Sequence, residues 1–434
     1  MSSAPRDSRS TQGFSAASLG DDGREALLRA PRPRRDLPLV AAGPRRLPLA
    51  PEARTVDRAT RPAYAVWEIT LACDLACRHC GSRAGRARPD ELSTAECLDV
   101  IDQLAELGVG ELIFIGGEVY LRDDWLELLR HTKKLGILPL ITTGGRGFDL
   151  ERARAASEAG VSSVSVSLDG TQPTHDHLRG LQGSHAAALA ALRNLRASSV
   201  PITVNTQINR LSMNELHRVL DTVLEEGAES WQIQLTVPMG RAADEPEIIL
   251  QPYDLLALFP IVNELAERCR ANGILLWPAN NVGYFGPYES ILRSFMPRAH
   301  HGGCGMGRSG LGIESDGTVK GCPSLATSVW AAGTVREHRL KDLWERSEKM
   351  RFARDRTPSE LRGFCKTCYY AEDCMAGCTW TAESILGVWG DNPYCHHRAL
   401  ERQREGLRER LVHRDPAKGE PFDFGRFELV VEPA

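Results

Sequence analysis

No uninterrupted apolar run in the 434 residues approaches the roughly 18 needed to span a bilayer, so integral membrane insertion is not expected. A surplus of charge is also missing. The 53 basic residues stand against 57 acidic ones, and a formal net charge of −4 leaves no global attraction to nucleic acid. Lysine is scarce, 7 residues against 46 arginines, a skew that carries no information about fold or function. The opening residues hold no apolar signal-like segment, and the run after Arg34-Arg35 is too short and proline-broken for export, so a cytoplasmic protein is expected. The twelve cysteines therefore do not read as the disulfide framework of a short exported chain.

With 42% hydrophobic and 25% charged residues, the chain has the balance of a globular enzyme, long enough for one barrel-sized domain and an appendage. Residues 1–60 carry 11 arginines against 7 acidic residues with no sustained periodicity, and read as a mobile Arg/Pro-rich arm. From residue 61 to 278, short apolar runs at 65–69, 111–115, 138–142, 162–168, 202–207 and 231–236 alternate with amphipathic stretches such as 93–107, 125–135 and 213–225. Ser93 with Glu96 makes a capping box, and Gly108 supplies a stop. Six βα units predict an α/β fold, a partial (β/α)6 TIM-type barrel with its chemistry on loops at the C-terminal strand ends. A longer helix over 253–272 leads into a linker, 279–302, with an aromatic loop at 284–288. Residues 303–400 lose periodicity and are threaded between cysteines. Residues 401–434 are the end of a helix expected over 396–412, then a polar tail.

Two cysteine constellations stand out. After the first strand, Cys73, Cys77 and Cys80 form C-x3-C-x2-C, a spacing that can hold three irons of a [4Fe–4S] cluster and leave the fourth open to a ligand. Later, Cys304 and Cys322 are followed by Cys365-x2-Cys368-x5-Cys374-x3-Cys378 and then Cys395. A zinc ribbon would use four of these seven and leave three unexplained. Cys97 and Cys269 fall on expected helices and read as packing residues.

The first motif, in its barrel setting, resembles that of the radical S-adenosylmethionine (AdoMet) enzymes, and the seven-cysteine ladder resembles their C-terminal SPASM domain. The resemblance implies one [4Fe–4S] cluster on Cys73, Cys77 and Cys80, whose open iron binds AdoMet. Reductive cleavage then yields a 5′-deoxyadenosyl radical that abstracts hydrogen from substrate. Gly116-Gly117-Glu118 is similar to the family's segment for the AdoMet amino group, with Val119 where a proline is usual. Ser167 and Asp169, the downstream Arg179, and Gln234 with Arg241 match segments that contact AdoMet in relatives. The resemblance further implies two auxiliary clusters, one on Cys365, Cys368, Cys374 and Cys395, the other on Cys304, Cys322 and Cys378. The latter is one thiolate short, since residues 305–310 contain no cysteine. It is open, closed by another side chain, or a [2Fe–2S] form.

For the subgroup, the implied substrate is a peptide or protein, modified at an unactivated carbon as in ribosomal peptide maturation, with a separate leader-binding protein and a flavodoxin- or ferredoxin-type reductant as partners. Pro323 stands where sulfatase maturases carry an Asp, which lowers that reaction in rank. A radical AdoMet oxidoreductase acting on a small molecule or cofactor precursor is the second expectation. A non-catalytic iron–sulfur electron carrier is the third, and it would have no need of Glu118.

Overall fold

Alternating burial along successive strands builds the architecture: one face of each is sealed and the other half-open. The structure, a computed structural model, describes residues 49–434. Strands β1 (Tyr64–Glu68), β2 (Glu111–Ile115), β3 (Leu138–Thr143), β4 (Ser163–Ser167), β5 (Ile202–Ile208) and β6 (Ser230–Leu235) occupy the six expected positions. They lie side by side in chain order and are all parallel. Helices α1 (Thr94–Glu106), α2 (Trp125–Lys134), α3 (Leu150–Glu158), α4 (Ser184–Ala197) and α5 (Leu216–Glu225) connect them. The Ser93–Glu96 capping box is formed at the head of α1, and Gly108 at φ +82° follows its end.

The sheet is larger than six strands. A seventh, β7 (Leu275–Pro278), pairs with β6, and β8 (Gly310–Ile313) pairs with β1, both parallel. Strands β9 (Thr318–Lys320) and β10 (Gly333–Thr334) extend the β8 side in antiparallel fashion. The cysteine-rich region is thus joined to the barrel through hydrogen bonds between β8 and β1. The sealed face of the sheet, including Trp67, Phe114, Val166, Val204 and Trp231, packs with helix residues such as Leu104, Leu128, Leu192 and Leu220 in one core. The stretch Pro246–Ala271 is long and apolar enough to cross a membrane, but Leu258, Phe259, Val262 and Leu265 of its helix lie in that same core.

Two boundaries differ from expectation. Most of the 1–60 arm lies outside the described residues, but residues 49–60 are not an arm. They carry a short helix, Thr55–Ala59, whose fully buried Asp57 pairs with Arg354 at 2.9 Å and Arg351 at 3.0 Å. At the other end, the helix expected over 396–412 stops at Arg404, because Gly406 takes a left-handed φ of +70°. Beyond that glycine the chain forms a hairpin, β11 (Leu407–Asp415) with β12 (Arg426–Pro433), where a polar tail was expected. The hairpin's turn reaches back to the barrel: Phe422 N–H donates to Gly81 O and Arg83 pairs with Asp423.

Candidate functional site

The cluster loop following β1 is held from three sides. At the end of β2, Gly117 N–H donates to Thr70 O at 2.7 Å and Glu118 N–H to Ala72 O at 2.8 Å. A Cβ on Gly116, at φ +147°, would sit 2.2 Å from Thr70 O, and one on Gly117 would sit 1.8 Å from Ala72 O. The glycine pair is therefore required by the contact between the β2 end and the cluster loop, apart from any approach of a ligand. Past β6, Arg241 Nε donates to Cys77 O at 2.6 Å and its backbone N–H to Cys80 O at 3.0 Å.

The third support is an ion cluster. Asp169, fully buried, lies 2.6 Å from Arg179 Nη2 and 3.2 Å from His79 Nε2, and Arg179 Nη1 reaches Cys77 Sγ at 3.7 Å. Burial opposes the Asp169 charge, but Arg179 and then His79 outweigh it and hold the carboxyl well below the usual carboxylate range. Asp169 and Arg179 are thus engaged with each other and with the cluster loop, while Ser167 ends β4 nearly buried.

Glu118 is buried and accepts hydrogen bonds from Thr143 Oγ1 at 2.5 Å and Gly144 N–H at 2.7 Å. Burial nonetheless pushes its carboxyl up to about 7. Ligand atoms of Glu118, Asp74 and Cys73 all lie within 4.8 Å of one another. Two carboxylates beside a thiol, one deeply buried, form a site that an ammonium group would stabilise. Asp74 has no distinguishing sequence signal beyond sitting next to Cys73.

The later cysteines lie in two groups. The charges of Cys395, Cys365 and Cys368 act on Cys374, and these four line one apolar cavity with Tyr284, Phe285, Phe364 and Tyr370. The charges of Cys304 and Cys322 act on Cys378. Burial pushes Cys73, Cys365, Cys378 and Cys395 up to about 12 and Cys322 to about 11, so thiolates at these places need a cationic partner. Among the described residues, neither set brings three sulfurs within 4.8 Å of one another. Zinc, about 2.3 Å from each sulfur, would hold them roughly 3.8 Å apart, so the donors fit iron–sulfur clusters better. Tyr284 and Phe285 of the aromatic loop pack at this domain, the first donating to Asn280 O and accepting from Cys378 N–H, the second stacked on Tyr370 at 4.4 Å.

The half-open inner face of the sheet carries a polar wall of which sequence reasoning found only Ser167 and Gln234. Ser167, Asn205, Gln232 and Trp277 stand in register across β4 to β7, and Gln207 pairs with Gln234 in the next row. Trp277 is 44% exposed and stacked on Phe295. Hydrophilic residues alternating with apolar ones were the available signal. They read as ordinary strand periodicity until the face they share is known.

Comparison with known proteins identifies the two regions that carry these residues. The sequence profile of the Radical SAM superfamily matches residues 67–223, and that of SPASM, an iron-sulfur cluster-binding domain, matches residues 304–369. The chain is 30% identical over 348 residues to an AdoMet-dependent heme synthase of Methanosarcina barkeri, covering 78% of this chain and 97% of the relative. It is 29% identical to a mycofactocin maturase of Mycobacterium ulcerans, covering 81% and 94%. The solved structure of anSMEcpe with bound AdoMet and Cp18Cys peptide superposes with a TM-score of 0.61 at 18% identity, covering 78% of this chain and 95% of that one, a likeness of fold.

Proposed function

The chain belongs to the radical SAM superfamily and carries a C-terminal SPASM domain, and from that premise we propose that it oxidises a peptide or protein substrate at an unactivated carbon. It is an enzyme of the class that binds AdoMet and a [4Fe–4S] cluster in the barrel and auxiliary iron–sulfur clusters in the SPASM domain. Bound together, the barrel cluster and AdoMet supply reductive cleavage of the sulfonium and abstraction of a substrate hydrogen atom.

In this reading the chain's own residues bind and orient. Cys73, Cys77 and Cys80 hold the barrel cluster, and Cys304, Cys322, Cys365, Cys368, Cys374, Cys378 and Cys395 the auxiliary pair. Glu118, with Asp74 beside it, takes the AdoMet ammonium, since a buried carboxylate with two neutral donors lacks only a cation. Gly116 and Gly117 keep the cluster loop against β2. Asp169 fixes Arg179 and His79, which positions Cys77. Ser167 and Gln234, on the inner wall, would serve the nucleoside and carboxylate end of AdoMet.

The observation that carries the peptide reading is the wall itself. Asn205, Gln207 and Gln232 each carry a side-chain amide, which pairs a donor with an acceptor as a peptide backbone does, and Trp277 stands beside Gln232 as an apolar platform. The mycofactocin maturase relative supports it. A separate leader-binding protein and a flavodoxin- or ferredoxin-type reductant complete this reading. A second one, a small molecule of the heme class, is favoured by the 30% identical AdoMet-dependent heme synthase.

Deuterium tracing tests both. Anaerobically reconstituted protein is given AdoMet, reductant and either a deuterated candidate precursor peptide or a deuterated heme precursor. Deuterium in the released 5′-deoxyadenosine from the peptide supports the first reading, and from the heme precursor alone the second. Failure to release 5′-deoxyadenosine under any condition would return the protein to electron transfer.

A further inference from the structure

The tip of the C-terminal hairpin is seated on the loop that carries Cys73, Cys77 and Cys80. We propose that Phe422 and Asp423 at this tip are positioning residues for AdoMet binding: docked on Gly81 and Arg83, they fix the Cys80 end of the loop that holds the barrel cluster. The inference goes beyond the peptide reading above and is independent of which substrate is used.

The contacts tie three segments together. Phe422 N–H donates to Gly81 O at 2.9 Å, and Gly240 N–H, from the segment after β6, donates to Asp423 O at 2.8 Å. Asp423 Oδ1 lies 2.9 Å from Arg83 Nε, and both side chains are largely buried. The other carboxylate oxygen accepts from Gly419 N–H at 2.6 Å and Glu420 N–H at 3.0 Å, which shapes the turn. Arg83 continues to Gly240 O at 2.9 Å and to Asp244 at 2.6 Å. Gly240 is pressed against the same loop: a Cβ there would lie 2.3 Å from Gly81 O and 2.4 Å from Cys80 O. The backbone just after the third cysteine is thus fixed between the tip and the end of β6.

Backbone strain marks the same place. Arg83 at φ +51° and Phe422 at φ +56° are two of the seven non-glycine residues with a left-handed φ among the described residues, and both belong to this contact. Such conformations are unfavourable for a side chain of this size and persist where the surroundings impose them. The Phe422 ring lies over a cation: Nζ of the fully buried Lys320, paired with Glu314 at 2.7 Å, is 3.7 Å from the ring centroid. The tip therefore also reaches β9 of the cysteine-rich region. The strands of the hairpin are anchored elsewhere, since Leu411 N–H donates to Gln251 Oε1 at 2.7 Å and Glu409 pairs with Arg398 at 2.7 Å. A change at the tip leaves those anchors in place.

AdoMet, held by the barrel cluster and by Glu118 together, needs the two in a fixed relation. The glycine pair of β2 fixes one side of the cluster loop and the tip fixes the other. With the tip undocked, three thiols still hold a cluster, but the loop is spread over several arrangements and binding must select one. A competent arrangement present about one time in ten weakens apparent affinity roughly tenfold. By reciprocity, bound AdoMet stabilises the docked tip.

The full-length reconstituted protein tests this with three variants: Phe422→Gly removes the ring and accepts the left-handed φ, Asp423→Ala removes the Arg83 pair, and Phe422→Tyr keeps the ring. Phe422→Gly and Asp423→Ala are expected to retain the parent iron content, to bind AdoMet roughly tenfold more weakly by calorimetry, and to give a broadened EPR signal for the reduced barrel cluster with AdoMet present. Phe422→Tyr is expected to match the parent in all three. Parent-like affinity and EPR signal in either Phe422→Gly or Asp423→Ala overturn the proposal. If a variant loses barrel iron, the unsubstituted protein decides: added AdoMet should slow hydrogen exchange in segments 419–425 and 238–242 together with the cluster loop. Slowing in the cluster loop alone, with those two segments unchanged, likewise overturns it.

Discussion

The two iron-binding regions are built in opposite ways. In the barrel, Cys73, Cys77 and Cys80 sit on a loop fastened by β2, by Arg241 and by the Asp169 ion cluster, all backed by the main core. In the C-terminal region, which also lends Leu343, Trp344, Ile385 and Tyr394 to that core, two of the thiols sit in small satellite groups. Cys304 belongs to a small group with Met306, Leu325, Trp330 and Ala353, and Cys365 to one with only Leu361 and Ala376. A scaffold holds the first site ready for a cluster. At the second, the groups around Cys304 and Cys365 bury little apolar surface of their own, and bound clusters would cross-link the chain there.

The largest effect expected from this contrast is on chelation of iron. Hydrogen exchange should show the segment from Cys365 to Cys395 losing its protection while the parallel strands β1 to β6 keep theirs. Equal loss in both regions would break the contrast. Next comes Gly117→Ala. Its Cβ would overlap Ala72 O, so the β2 end and the cluster loop must part, at a cost of about 3 kcal/mol or more. The expected result is a lowered melting temperature and loss of the barrel cluster, with auxiliary iron retained. Glu118→Gln should weaken AdoMet binding by about 1.5–3 kcal/mol, roughly 10- to 150-fold by calorimetry, because a charge-assisted contact becomes neutral. The smallest effect is expected from Asn205→Ala, about 1 kcal/mol on the KM of the modified substrate. AdoMet cleavage in the absence of substrate should be unchanged, which separates the wall from the cofactor site.

The same contrast decides how much of the molecule was legible in its sequence. The cysteine spacings, Gly116-Gly117-Glu118 and the capped helix α1 are local patterns, and the structure has them where the chain order implied. β7 was not legible, because four residues ending in Pro278 are too short to display a period. β8 has Gly310 and Gly312 in its four buried residues and offers no alternation to read. Asp74 and the amides of Asn205, Gln207 and Gln232 become site candidates only through what the fold sets beside them. That the glycine pair makes room for Thr70 and Ala72 is likewise visible only in the fold.

The most direct test of the central claim, one cleaving cluster in a preformed barrel site and separate auxiliary clusters beyond it, is iron content with Mössbauer spectra on the parent and on the chain with Cys73, Cys77 and Cys80 all replaced by Ala. The account predicts about ten to twelve irons in the parent, about four fewer in the variant, auxiliary signals unchanged and 5′-deoxyadenosine release abolished. Parent iron near four, or cleavage at the parent rate in the variant, would contradict it.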